Sequence, residues 1–166
     1  MAYEGYVAIK GNKQGQFKGE STQKNRKDKW IPVLAFEMEL DSPRDPGTGQ
    51  ASGKRQFSPV SIVKEWGAAT PQALTACATN EVLNEVTIEF TRVDADGADY
   101  VYQSVTLANA VIERVARVKG RRLEGEPPGG TVDPREWEEW EFTFQKIELV
   151  DNDGQTSFAD DWVARS

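Results

Sequence analysis

The sequence predicts a mostly β protein, an antiparallel β-barrel made of two packed sheets with one short α-helix. Three observations point there. Apolar and polar residues alternate with period two in segment after segment, as half-buried strands require. Asp-Gly pairs at Asp96-Gly97 and Asp153-Gly154 suit tight hairpins. Only residues 70–80 carry helix punctuation. Seven or eight strands and one helix in 166 residues fit two packed antiparallel sheets or a small barrel.

Residues 5–10 form the first, weaker strand. Residues 11–29 are polar and basic and read as a loop. In residues 30–40, Leu34, Phe36, Met38 and Leu40 share one face, with Glu37 and Glu39 on the other. Residues 41–53 hold Pro43, Pro46, Gly47, Gly49 and Gly53, poor strand formers that predict an exposed loop. Residues 57–65 are a second weaker strand. Thr70 is the expected N-cap and Pro71 the first helical residue. Ala73, Leu74, Cys77 and Ala78 then make a short apolar stripe ending at Asn80, which predicts a buried, unreactive Cys77.

The clearest strand covers residues 82–90, with Val86, Ile88 and Phe90 on one face. A two-residue loop at Asp96-Gly97 places Ile88 opposite Val105 and Val86 opposite Leu107. A one-residue slip would turn every one of these side chains to the wrong face. Residues 108–119 lack a clean polar face. Such a strand is covered on both sides, the second cover being another subunit, or is an irregular, partly shielded barrel strand. Residues 120–134 read as a loop. In residues 138–145, Trp140, Phe142 and Phe144 share a face, and the apolar parity then switches to Ile147 and Leu149. A bulge near Gln145-Lys146 explains that switch. The Asp153-Gly154 turn returns the chain through Phe158 to Trp162.

Composition narrows the function. The chain carries 27 acids against 20 bases, a formal charge of −7, and no histidine. Missing histidine removes Ser-His-Asp triads, the commonest general base and the commonest metal ligand. One cysteine makes neither an internal disulfide nor a CxxC knuckle. No apolar run reaches the roughly 20 residues of a membrane span, and the N-terminus lacks the pattern of a signal peptide. A single soluble domain over residues 1–166, without cofactor, metal, membrane insertion or nucleic acid, is expected.

The candidate chemistry is sparse. Glu139 and Glu141 share a strand face about 7 Å apart, a spacing open to an inverting glycosidase, but a solvated acidic face is the better reading. Lys64, Lys146 and Tyr102 are conceivable bases that nothing singles out. Arg114, Arg117, Lys119, Arg121 and Arg122 form a basic run, expected to pair with acids of this chain or a neighbour. Residues 1–29 hold seven bases and three acids, and residues 133–166 three bases and ten acids. Ends of opposite charge on opposite faces would favour head-to-tail association.

The assembled pieces resemble the Hcp family, the haemolysin-coregulated proteins that form the inner tube of the type VI secretion system. The match rests on the opening strand followed by Gly19-Glu20-Ser21, on Trp30-Ile31-Pro32-Val33-Leu34, and on the Thr70-Pro71 helix with Leu74, Ala76 and Cys77. It is most specific at Phe142-Thr143-Phe144-Gln145-Lys146-Ile147, the Asp153-Gly154 turn and Asp160-Asp161-Trp162. The resemblance implies a phage tail-tube-like barrel and a homo-hexameric ring. Rings stack into a tube inside a contractile sheath, with a spike protein at the tip and effectors in the lumen. It implies no enzymatic activity, and a protein cytoplasmic before firing and exterior afterwards. Two stretches depart from the family pattern, the acidic residues 120–137 and the proline-rich residues 41–53. Arg44, Asp45, Lys54, Arg55, Arg114, Arg117 and Lys119 are the expected subunit or ring interface. The competing reading is a monomeric β-barrel that binds a small ligand.

Overall fold

The computed structural model describes residues 4–120 and 135–162. The body is built from β1 (Glu4–Gly11), buried on both faces from Tyr6 to Ile9, and from β7 (Val60–Glu65), β8 (Leu83–Val93), β9 (Asp99–Lys119) and β10 (Glu136–Asp151), along which burial largely alternates. Shorter strands attach to it: β2 (Gly15–Gln16), β3 (Ile31–Val33), β4 (Ala35–Glu37) and β11 (Thr156–Asp161). These nine strands form one antiparallel sheet. A second sheet is the ribbon of β5 (Leu40–Asp41) and β6 (Gln56–Phe57). The mostly antiparallel class and, among the described residues, the single helix α1 (Thr70–Thr79) agree with the sequence, while in place of two packed layers there is one large sheet and a short ribbon.

The large sheet curls until one segment spans its two edges. β3 pairs with β1, and β4 pairs with β7. Leu34, between them, donates its N–H to the Val63 carbonyl at 2.7 Å. The segment therefore changes partner at Leu34, and residues 30–40 are not one strand. The single apolar face expected there fails for the same reason: Leu34 is 57% exposed while Ile31 is fully buried.

The predicted register of β8 and β9 is present, with Ile88 opposite Val105 and Val86 opposite Leu107. The turn differs from the expected two-residue loop. Val93 pairs with Asp99, and the ladder shifts between Phe90 and Thr91. A longer loop and a bulge offset each other, so the register below them survives. Asp94 Oδ1 shapes that loop by accepting the N–H groups of Asp96 (2.8 Å) and Ala98 (3.0 Å).

The parity switch in β10 is also present, but an inserted residue near Gln145 is not its cause. Phe144 pairs with Ala110 and Lys146 with Ala108, the same register on either side. Asn109 stands opposite Gln145 with φ 50°, and its side-chain amide donates to Gln145 Oε1 at 3.0 Å. Both strands turn over together there, so buried Leu107 and Ala110 straddle Asn109 as Ile147 and Phe142 straddle Gln145. The true register shift lies between Glu141 and Phe142.

Two further expectations are corrected. Residues 11–29 are not merely a loop: β2 lies within them, and Phe17 is fully buried. The helix buries Thr70, Ala73 and Ala76, with Ala69 as its N-cap. Leu74 is 41% exposed and Cys77 only half-buried, packed against the core. Alanines face inward because α1 lies close against β9, where a leucine would hold it off. Asn80 ends the helix as expected, in the left-handed conformation with φ 54°. Of the predicted loop 120–134, residues 121–134 lie outside the described residues.

Glu81 fastens the β1–β2 turn. Its Oε2 accepts the N–H groups of Lys13 (3.0 Å) and Gln14 (2.9 Å), and its Oε1 the Gln14 side-chain amide (3.1 Å). Burial favours the neutral carboxyl, but these donors outweigh it and hold the Glu81 pKa below its ordinary value. A carboxylate depressed in the fold contributes stability above its unfolded pKa, roughly 4.3, and loses it as pH falls through the folded value. In urea melts from pH 6 to pH 3, Glu81→Gln should show a shallower loss of stability than the parent. Equal slopes would refute the assignment. Phe17→Ala should cost about 3–5 kcal/mol in the same melts at neutral pH.

Candidate assembly surface

Of the expected basic run, β10 pairs with Arg114, Arg117 and Lys119, while Arg121 and Arg122 lie outside the described residues. Lys119 Nζ lies 2.9 Å from Glu136 Oε1, and Arg117 Nε 3.5 Å from Glu138 Oε2. Arg114 Nη1 lies 3.4 Å from Glu141 Oε1 and 3.6 Å from Glu139 Oε1. These are antiparallel neighbours, with Arg117 opposite Glu138 and Arg114 opposite Glu141. Cross-strand pairs of opposite charge stabilise such a ladder modestly. Arg117 also stacks on the Trp66 ring at 4.1 Å.

Glu139 and Glu141, the weak glycosidase candidates, are part of this ladder. Ser61 Oγ donates to Glu139 Oε1 at 3.1 Å. Burial first, and the hydrogen bond with Glu139 second, raise the Glu141 pKa above its ordinary value, with Arg114 opposing. The pair is thus held by Arg114 and Ser61 on a strand face. Among the described residues, no group of three or more histidine, cysteine, aspartate or glutamate side chains could hold a metal ion. No helix among them is long and apolar enough to cross a membrane.

The other four expected residues lie on or beside the ribbon. Arg44 and Asp45 are exposed near its tip, where Arg44 bridges Ala51. Asp45 Oδ1 accepts the Gly47 N–H at 2.7 Å, which folds the turn. Lys54 is exposed. Arg55 turns inward instead, forming a bidentate pair with buried Asp160. The structure thus separates the seven into a cross-strand ladder and a protruding arm.

A buried charged hub escaped the sequence reading. Lys64 and Glu138 are fully buried and directly opposite each other. Lys64 Nζ reaches Glu138 Oε1 (2.9 Å), Glu20 Oε1 (3.0 Å) and the Glu65 carbonyl (2.7 Å). Thr70 Oγ1 donates to Glu138 Oε1 at 2.5 Å, and Glu20 Oε2 accepts the Ala69 N–H at 2.8 Å. The hub therefore ties the helix start to β7, β10 and the loop carrying Glu20. A signal existed: Lys64 shares parity with Val60 and Ile62, and Glu138 with Trp140 and Phe142.

The fold and this surface define a class first: a histidine-free, antiparallel β protein with one helix and a self-neutralised charged face. Comparison gives the family. The model for "Type VI secretion system effector, Hcp" matches residues 6–150. The "Major exported protein" of Pseudomonas aeruginosa (strain PAO1) is 32% identical over 171 residues, covering 98% of this chain and 96% of that protein. A solved "Secreted protein Hcp3 from Pseudomonas aeruginosa" superposes with TM-score 0.74 at 25% identity, over 99% of this chain and 100% of the other. A "Crystal structure of Hcp protein" does so with TM-score 0.83 at 22% identity, over 97% and 98% of the two chains. The chain belongs to the Hcp family of the type VI secretion system.

Removing one partner of a buried pair strands the other. Lys64→Met and Glu138→Leu should each cost about 3–5 kcal/mol in urea unfolding. The double variant Lys64→Met/Glu138→Leu should recover at least half of the summed loss. Strict additivity would show that the two residues are not coupled.

Proposed function

We propose that this chain, as a single domain over residues 1–166, is the subunit of a secreted tube built from stacked hexameric rings. Membership of the Hcp family supports the secreted role, and the family supplies the number six. The observation that carries assembly is an open edge. β8 pairs with β9 only as far as Ala110. From Val111 to Lys119, β9 pairs with β10 on one side. Among the described residues no strand covers the other. An uncovered strand edge is a template for a second chain. Contact between two different patches of identical subunits closes into a ring when the rotation divides the circle.

The charges support stacking. Lys10, Lys13, Lys18, Lys24, Lys27 and Lys29 are exposed, and the C-terminal part of the chain is acidic. The arm bearing Arg44, Asp45 and Lys54 supplies a polar rim for contacts between subunits or rings, with Arg114, Arg117 and Lys119 at the edge of the ladder. On this reading the tube lies in the cytoplasm inside a contractile sheath. It carries effectors in its lumen and a spike at its tip, and leaves when the sheath contracts. It works without catalysis or cofactor. A monomeric ligand-binding barrel is less well supported, because Trp140, Phe142, Phe17, Ile62 and Leu107 fill the interior.

The test is solution mass by light scattering at micromolar concentration, in low and high salt. Exposed charge contacts are worth about 1 kcal/mol or less each, so stacks should fall to six-subunit rings as salt rises. A monomer at both salts refutes the proposal. Deleting residues 43–53 should keep the fold, read by the thermal transition, and weaken assembly.

A further inference from the structure

The ribbon β5–β6 has two residues in each strand. A two-stranded ribbon is marginally stable alone in water. The arm has its own bonds: the N–H groups of Asp45 and Ser52 donate to the carbonyls of Gln50 (2.8 Å) and Pro43 (2.9 Å). None of these fixes its direction relative to the body. That task falls to its root, where residues from the C-terminal segment converge.

Arg55 holds Asp160 with two donors, Nε to Oδ2 and Nη2 to Oδ1, the latter at 2.6 Å. The same guanidinium lies over the Trp162 ring at 5.6 Å. Phe57 meets Trp162 edge to face at 5.6 Å and Phe144 at 5.4 Å. Trp162 is seated in turn by its N–H on the Gln145 carbonyl at 3.0 Å. Between these groups lies an open cleft of about 350 Å³, lined by Phe57, Pro59, Phe144 and Trp162. The contacts are aromatic edges and a charged fork, both strongly directional. We propose that Asp160 and Trp162 form a strap that sets the orientation of the arm 41–56, so that releasing it frees the arm while the body stays folded.

The strap is a local device because the segment bearing it is the outer strand β11, paired with β10 alone. The buried core cluster lies chiefly on β1, β3, β7, β8, β9, β10 and α1; Phe57 and Phe144 pack against it, but Asp160 and Trp162 are not part of it. Regions with few buried apolar contacts open at a lower free energy than core strands. A change at residues 160–162 is thereby transmitted along the arm to Arg44, Asp45 and Lys54. The proposal concerns the single subunit and does not rest on the ring.

The test is amide hydrogen exchange on the full chain, comparing the parent with Trp162→Ala, Trp162→Phe and Arg55→Gln. Trp162→Ala and Arg55→Gln should speed exchange at Asp45, Gly49 and Ser52 by about tenfold or more, with β9 and β10 unchanged. Trp162→Phe keeps the edge contact and should exchange like the parent. Unchanged arm amides in both loosened variants would overturn the proposal. So would equal acceleration in β9 and β10, which would make the cluster part of the core. Measurement at two protein concentrations guards the reading. Acceleration that appears only on dilution would place the restraint in contacts between copies and also overturn it.

Discussion

The pairing of β9 with β10 is the constraint on which the other elements depend. Its ladder runs from Glu136 and Lys119 to Asp151 and Gln103. The outer side of β10 is then divided, with β7 on residues 137–142 and β11 on residues 146–151. The outer side of β9 takes β8, which takes β1. A slip of one residue between the two long strands would reverse both faces at once. The turnover at Asn109 and Gln145 keeps the apolar side inward as the strands pass from one neighbour to the next. These two strands are thus shared by two regions of the sheet, and the region beyond Ala110 is where β9 outruns β8.

Charge is placed on this frame at two depths. On the surface, the ladder of Arg114 and Lys119 against Glu136, Glu139 and Glu141 is partly exposed to water and contributes little per pair, with Arg117 reaching in to the buried Glu138. It does decide what the face offers a partner: a nearly neutral band, not a basic strip for a polyanion. In the interior, the Lys64 hub costs desolvation and regains it through Lys64 Nζ, which meets Glu138, Glu20 and the Glu65 carbonyl, while Glu138 Oε2, which accepts no hydrogen bond among the described residues, faces the Arg117 guanidinium at 3.5 Å. Its yield is position. Glu138 bridges the sheet to Thr70, and Glu20 bridges it to Ala69, so the short helix is fixed by its first turn. A helix of ten residues has too little propensity of its own to hold there.

On the proposed reading these placements describe a building block. The body is held internally by hub, ladder and core within one chain, although buried Glu138 Oε2 and Trp140 Nε1 make no hydrogen bond among the described residues. What is left outward is backbone at one strand edge, a lysine-rich loop and a ribbon on a root of aromatic contacts. A rigid body with a few outward features suits repeated assembly, since each copy must present the same geometry.

The sequence by itself determined the class, the main strands, the β8–β9 register and the helix stop at Asn80. These follow from side-chain period and local turn chemistry, which act between near neighbours. Even the resemblance rested on short ordered motifs of that kind. Tertiary structure decided what needs two distant segments at once. Leu34 is exposed because its strand changes partner from β1 to β7. Phe17 is buried because a turn fastened by Glu81, far along the chain, folds it inward. Ala73 and Ala76, not Leu74, meet the sheet because α1 lies close against β9. Lys64 is buried because Glu138 and Glu20 reach it from other elements. Arg55 turns from the arm to Asp160, more than a hundred residues away. In each case the free energy resides in a pairing that no local window contains, so period and propensity could not reveal it.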